Sequence, residues 1–260
     1  MRDQEMTSLN EAVRRYWEAE PNGTGQFVAP QSGVDRVAWF EAIEARRYGL
    51  EPFIHSAAQF TRFRGKELLE IGVGAGTDHL QWARAGAFCH GVDITEAGVA
   101  LTREHLALYG FGSALQVINA ETLPYPDSTF DAVYSWGVIH HSEHPEVMVD
   151  EIHRVLRPGG VFIGMMYARH SLVALKLWVR HGLFRLRPFK SLRDVIWNHM
   201  ESVGTKAYTR RELQSMFAAY DDVTLEQVAT PYDRARLPGW LRGRVPDRLG
   251  WFIVIHATRR

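Results

Sequence analysis

One cysteine in 260 residues is too few for a disulfide framework or a thiolate metal cluster. Cys89 falls inside a predicted strand, where a free thiol acts as a small buried apolar residue, and the usage suits a reducing cytoplasm. No apolar run nears the ~20 residues needed to cross a bilayer, so no stable membrane insertion is expected. Asp3 and Glu5 have no apolar segment behind them, which reads as no signal peptide. Internal repeats and low-complexity tracts are missing as well. The basic residues follow no helix-turn-helix, zinc-finger or RNA-binding spacing, which argues against a nucleic-acid partner.

What is present is an ordinary globular composition with an uneven charge. Hydrophobic residues make up 46% of the chain, enough for one α/β domain with added helices. The 30 acids balance the 30 Lys and Arg, yet residues 1–156 hold 22 acids against 12 cations and residues 157–260 hold 8 against 18. The simpler reading of the basic half is a solvated face. The sharper one is that Arg185, Arg187 and Lys190 face an anionic small-molecule acceptor, bearing a carboxylate, a phosphate or an acyl carrier.

The pattern predicts one domain over 1–260 in four parts. Residues 1–64 read as an aromatic-rich helical cap with Tyr16, Trp17, Trp39, Phe40, Tyr48, Phe53, Phe60 and Phe63, broken by the turn sequence Glu20-Pro-Asn-Gly-Thr-Gly25. Residues 65–168 read as a cofactor-binding core. Strands are predicted near 67–71, 88–93, 115–118, 130–136 and 161–168, alternating with helices over 77–85, 95–109 and 144–156, as in parallel βαβ crossovers. Arg157-Pro-Gly-Gly160 is expected to end the last of these helices. Residues 169–208 read as an inserted lid with helices near 171–184 and 190–200. Residues 209–260 read as a helix opened by Thr209 and two strands, 221–229 and 250–258.

Inside the core, Glu67-Leu-Leu-Glu-Ile-Gly-Val-Gly-Ala-Gly76 runs from an apolar strand into a glycine turn, and Gly91-Val-Asp93 ends the next strand on an acid. Gly72, Gly74 and Gly76 let the backbone approach a ligand closely, and Asp93 can accept ribose hydroxyl protons. The glycine spacing is not that of a dinucleotide fold, and Glu70 and Asp78 would oppose a pyrophosphate. The same acids suit a cationic, phosphate-free nucleoside cofactor such as S-adenosylmethionine, with its sulfonium and ammonium.

These residues resemble the class I S-adenosylmethionine-dependent methyltransferases, in particular the small-molecule type similar to ubiquinone and menaquinone biosynthesis methyltransferases. The resemblance covers roughly residues 64–168 and rests on five linked motifs. They are Leu69-Glu-Ile-Gly-Val-Gly-Ala-Gly76, Gly91-Val-Asp-Ile94, Asn119-Ala-Glu-Thr-Leu-Pro-Tyr125, Phe130-Asp-Ala-Val-Tyr-Ser-Trp-Gly-Val-Ile-His-His141 and Arg154-Val-Leu-Arg-Pro-Gly-Gly160. It implies a Rossmann-like α/β fold: a seven-stranded, mostly parallel sheet with the last strand antiparallel and helices on both faces. It also implies that Glu70 and Gly72 to Gly76 lie along the methionine moiety, that Asp93 binds ribose, and that Ile94 sits beside adenine. Ala120 and Glu121 would flank the base edge, and the Ser135-Trp136-Gly137 strand end would meet the ammonium. Asn119 stands where the family usually has aspartate, and its carbonyl oxygen can still accept a hydrogen bond.

Methyl transfer from a sulfonium needs alignment in a dry site, and a hydroxyl acceptor also needs a proton removed. His141 or His140, after the fourth strand, is the expected base, with Tyr167 as a further contact. Tyr16, Trp17 and His170 are expected around the acceptor. His140-His-Ser-Glu-His144 cannot converge on one metal ion, and no Gly-x-Ser-x-Gly elbow suggests a hydrolase. The fourth strand also lacks the Asn/Asp-Pro-Pro-Tyr/Phe sequence used on adenine or amide nitrogens. The stretch Asn198 to Tyr208 is polar enough to line the acceptor end. Leu172, Leu175, Trp178 and Val179 form a stripe beside Lys176 and Arg180, read as packing over the pocket or as a membrane or dimer contact. The expectation is a cytoplasmic enzyme, monomer or homodimer, methylating a small molecule at oxygen before nitrogen or carbon. A non-catalytic S-adenosylmethionine-binding protein and a nucleotide-dependent oxidoreductase are the competing readings.

Overall fold

The computed structural model describes residues 8–21, 24, 35–235 and 237–260. Asn22, Gly23 and Gly25 of the expected first turn lie outside the described residues. Two helices, α1 (Leu9–Ala19) and α2 (Arg36–Leu50), precede a short α3 (Ile54–Ala58). The core follows as β1 (Glu67–Ile71), α4 (Thr77–Ala85), β2 (Phe88–Asp93), α5 (Glu96–Leu108), β3 (Ala114–Val117), β4 (Phe130–Trp136), α6 (Pro145–Val155) and β5 (Leu156–Tyr167). Then come α7 (Leu172–His181), α8 (Leu192–His199), α9 (Arg210–Met216) and β6 (Tyr220–Val228), two short helices α10 (Pro231–Arg234) and α11 (Gly239–Arg242), and β7 (Phe252–Arg259).

The sheet order is β3-β2-β1-β4-β5-β7-β6. Strands β1 to β5 pair in parallel, and β7 lies antiparallel between β5 and β6. Leu68, Leu69, Val133 and Tyr134 are fully buried because helices cover both faces of the parallel strands. The chain leaves β1 toward β2 and β3, then returns to pair β4 on the other side of β1. That reversal opens a crevice at the carboxyl ends of β1 and β4, where ligands sit in open α/β sheets.

Most bounds lie within about three residues of the sequence reading, but the start of β5 differs more. Arg157-Pro-Gly-Gly160 belongs to β5 rather than to a helix terminus, and its pairing register with β4 shifts between Phe130 and Ala132. Pro158 cannot donate to a ladder and Gly159 has φ 77°, so the segment forms a bulge at the strand's start. Helix α6 ends one residue earlier, on an extended Leu156.

The aromatic N-terminal region divides. Trp39 and Phe40 pack on Ala75 and Leu101, and Phe60 and Phe63 pack edge-on against Trp82 as part of the core. Helix α1 instead clamps down through polar ends. Asn10 Nδ2 donates to Glu121 at 2.8 Å while its Oδ1 accepts from the Glu143 amide at 2.8 Å. At the other end, the Glu18 carboxylate accepts from the amides of Glu96 and Ala97 at 2.9 and 3.0 Å, satisfying the exposed first turn of α5. Among the described residues no helix is long and apolar enough to cross a membrane.

Candidate active site

Three cavities meet at Trp136. The first, about 790 Å³, is lined by Gly72, Gly74, Asp93, Ile94, Asn119, Ala120 and Trp136 of the expected cofactor set. A niche of about 380 Å³ holds Glu70, Gly72, Gly74, Asp78 and Arg47. The largest, about 1040 Å³, is walled by Trp136, Gly137, Met165, Tyr167, Trp251 and Phe252, with Arg46, Arg47, Glu51 and Glu201 as its charged residues.

The glycine turn follows from sterics. Gly72 has φ 81°, and a Cβ there would lie 2.2 Å from Val138 Cγ2. Gly74 has φ 53° with open space beside it, so this backbone can be approached from the cavity. Gly76 lines none of the three cavities; it caps α4 at φ 75°, where a Cβ would press on Thr102. Asp93 Oδ2 accepts from the Gly74 amide at 3.0 Å, and Oδ1 accepts from the Thr95 amide and hydroxyl at 2.9 and 2.6 Å. Those bonds fix the carboxylate at the cavity wall, and its remaining lone pairs stay available to a diol.

The two acids that argued for a cationic ligand are both engaged within the protein. Asp78 is buried and takes a two-pronged contact from Arg47, at 3.1 Å from Nε and 2.5 Å from Nη2. The Tyr48 and Tyr134 hydroxyls donate to it at 2.9 and 2.8 Å. Burial would raise its pKa, but the charge and hydrogen bonds of Arg47, then the two tyrosines, hold it below the ordinary carboxylate range.

Glu70 faces His79 Nδ1 at 3.0 Å. The Ser113 hydroxyl donates to the Cys89 carbonyl at 2.7 Å, so His79 Nε2 is the donor toward Ser113, at 2.9 Å. With a neutral imidazole, Nδ1 is then the acceptor and the proton lies on Glu70. The electrostatics agree: burial and then Asp78 push Glu70 well up, while burial and then His90 hold His79 down at about 3. The glycine bend thus carries a neutral acid and a matched ion pair, not two free carboxylates.

Other expected residues also stand elsewhere. Glu121 lines none of these cavities, because its Oε1 is taken by Asn10, Ser142 and the His144 amide. Trp17 lines the first cavity and not the largest, Tyr16 is 44% exposed, and His170 is exposed. His140 is fully buried, its ring 3.8 Å from that of Tyr167, and neither ring nitrogen meets a protein partner.

His141 lines the first cavity. Its Nδ1 lies 2.9 Å from Ser202 Oγ and 3.2 Å from Thr205 Oγ1, and its Nε2 lies 3.4 Å from Glu201 Oε2. Tyr167 donates its hydroxyl to Glu201 at 3.0 Å. The polar 198–208 stretch therefore supplies Met200 and Glu201 to the largest cavity and Ser202 and Thr205 to His141. Sequence reading missed Arg47 and Glu51, and held Glu201 only within the Asn198 to Tyr208 stretch without a role. Only the i,i+4 spacing of Arg47 and Glu51 hinted at a shared face, and Glu51 accepts from Trp136 Nε1 at 2.9 Å. Among the described residues no group of three or more His, Cys, Asp or Glu is placed to hold a metal ion.

Comparison with known proteins decides the family. A family described as "Methyltransferase domain" matches residues 69–164. The Bacillus subtilis protein named "Uncharacterized methyltransferase YcgJ" is 30% identical over 173 residues, 65% of this chain and 68% of that protein. This chain is a class I S-adenosylmethionine-dependent methyltransferase by family. A "Fatty-acid O-methyltransferase" of Mycolicibacterium smegmatis is 33% identical to this methyltransferase over 127 residues, 47% of the chain and 44% of the relative. The chain spans about half the length of several curated relatives it matches. A solved magnesium protoporphyrin IX methyltransferase from Synechocystis, with bound S-adenosylhomocysteine, shares the fold at a TM-score of 0.62 and 13% identity, over 97% of this chain and all of that one.

The residues fit the family's methyl donor, S-adenosylmethionine. The open backbone at Gly74, the anchored Asp93 and the apolar slot of Val92, Ile94, Ile118 and Met148 offer a turn, a diol acceptor and a flat apolar site.

His140 gives this methyltransferase a distinct acid sensitivity. Burial, then the charges of His141 and Lys206, hold its pKa well below 6.5. Below pH ~6.5 the unfolded chain takes up a proton there that the folded chain refuses, so stability is lost as pH falls. His140→Leu removes that term, with little hydrogen bonding to lose. Between pH 6.5 and 5 the wild type should lose measurably more stability than the variant. Urea unfolding at both pH values checks it, and parallel losses would refute it.

Proposed function

We propose that this chain transfers a methyl group from S-adenosylmethionine to a hydroxyl oxygen of a small molecule seated in the largest cavity. The observation that carries the reading is that Trp136 and Gly137 form a wall common to the first cavity, where the nucleoside would sit, and the aromatic one beyond it. When bound, S-adenosylmethionine supplies an electrophilic methyl group on a sulfonium. The protein's part is to orient the acceptor oxygen, exclude water and take up its proton.

Asp93, Gly74 and Asn119 would hold the nucleoside, and the Glu70 niche the amino-acid end. Trp136, Met165, Trp251 and Phe252 give the acceptor an apolar berth, and Arg46 would draw a carboxylate if the acceptor has one. His141 is the favoured base: it lines the first cavity, and its Nε2 lies 3.4 Å from Oε2 of Glu201, which lines the largest. With Nδ1–H donated to Ser202 Oγ, the Nε2 lone pair is free to take a proton. The resulting imidazolium would face Glu201, itself held by the Tyr167 hydroxyl. The fatty-acid relative is named as an O-methyltransferase, which supports oxygen as the target.

The test is release of S-adenosylhomocysteine in the presence of matched panels of hydroxyl, amine and carbon-acid acceptors. Turnover with hydroxyl compounds alone is the expected result. Tight donor binding by calorimetry without turnover in any panel would favour a binding protein instead, and turnover confined to amines would move the target atom to nitrogen.

A further inference from the structure

Between α7 and α8 the chain turns four large apolar side chains into solvent. Leu183 is 46% exposed, Phe184 76%, Leu186 90% and Phe189 100%. Scattered exposed apolar residues are ordinary, but four within seven positions are not. The turn is a built feature with its own bracing. Arg187 N donates to the Gly182 carbonyl at 2.8 Å, Leu186 N to the Leu183 carbonyl at 3.0 Å, and Trp178 Nε1 to the Lys190 carbonyl at 2.8 Å. Leu186 sits at φ 54°, a conformation costly for leucine, which keeps its side chain out of the core.

Charge is interleaved with these residues. From Arg180 to Arg193 there are five cations, Arg180, Arg185, Arg187, Lys190 and Arg193, and no acid. We propose that this tip docks on an anionic lipid surface. Phe184, Leu186 and Phe189 enter the boundary between headgroups and acyl chains, while Arg185, Arg187 and Lys190 meet the lipid phosphates. A second copy is a poor occupant, because it would bring the same five cations against themselves. An acidic protein would satisfy the charge but leaves the fully exposed Phe189 and Leu186 without the pocket that anchors such residues at protein interfaces. The hairpin that carries the tip also walls the largest cavity, through Val173 on α7 and through Met200 just after α8.

The test is co-sedimentation of the full chain with phosphatidylcholine vesicles, with and without phosphatidylglycerol. It needs neither methyl donor nor turnover, so it stands or falls apart from the proposed reaction. Binding is expected only to the phosphatidylglycerol vesicles. Phe184→Ser/Leu186→Ser/Phe189→Ser and Arg185→Glu/Arg187→Glu/Lys190→Glu should each weaken the partition coefficient at least about tenfold. Both variants should melt with the wild type, since neither set is packed in the core. No binding, equal binding to both vesicle types, or full binding by either variant overturns the proposal. A dimer that the serine variant abolishes would assign the tip to a second copy and overturn it equally.

Discussion

Arg47→Ala is expected to destabilise the fold by about 3–5 kcal/mol, among the largest losses available to a single substitution here. The reason is what it leaves behind. Asp78 is buried against the start of α4, and after the substitution only the Tyr48 and Tyr134 hydroxyls would remain to compensate its charge. Removing one member of a buried pair costs more than the pair itself contributes, because the survivor must be dehydrated without a counter-ion. The double variant Arg47→Met/Asp78→Asn removes the charge as well and should recover more than half of the loss. Chemical denaturation of the three proteins measures this. Equal stability of the wild type and Arg47→Ala would mean that the pair is solvent-relaxed and not a structural element. Because Arg47 lines both the Glu70 niche and the largest cavity, the single variant should also bind S-adenosylmethionine less tightly at temperatures where it remains folded.

His141→Ala should lower kcat for a hydroxyl acceptor by about 10²–10⁴-fold, the usual worth of a positioned general base. Donor affinity, read by calorimetry, should change far less, since the nucleoside contacts are proposed to lie on Asp93, Gly74 and the apolar slot. The residual rate should rise with pH as hydroxide replaces the imidazole. Glu201→Gln should fall between the wild type and this variant, because it removes a counter-charge and not the base. A kcat within about threefold of the wild type would sink the assignment of His141.

Local sequence carried much of the core. Strands β1, β2 and β4 and helix α4 have the bounds expected from their apolar runs and from the turn at Gly72 to Gly76. Their signals are short-range, so the pattern needs no knowledge of partners. The lining of the candidate site was legible only where backbone geometry governs it, as at Gly72, Gly74 and Asp93, which border the first cavity. Side chains whose role depends on distant partners were not. Glu121 reads as a base contact within its motif, yet Asn10, 111 residues away, takes it. Asp78 reads as a free carboxylate until Arg47 arrives from α2. The adjacent histidines show a third kind of limit. They sit on a tight turn, Ile139 to His141, where successive residues point about 120° apart. One therefore packs on Tyr167 within the core while its neighbour reaches Ser202 and Glu201. No spacing rule separates two identical residues on such a turn.

The position of β7 has a bearing on how the chain is made. Its register joins Val161 to Thr258 and Tyr220 to Arg259, so two strands translated earlier, β5 and β6, find their common neighbour only after β7 has been translated. Until then β5 presents an unpaired apolar edge and β6 has no sheet to join. Contacts closing over nearly a hundred residues are slow to form and leave such edges open to foreign strands. Nascent chains of this protein are therefore expected to need protection of these edges until β7 has emerged, although the glycine bend and its flanking strands have emerged long before.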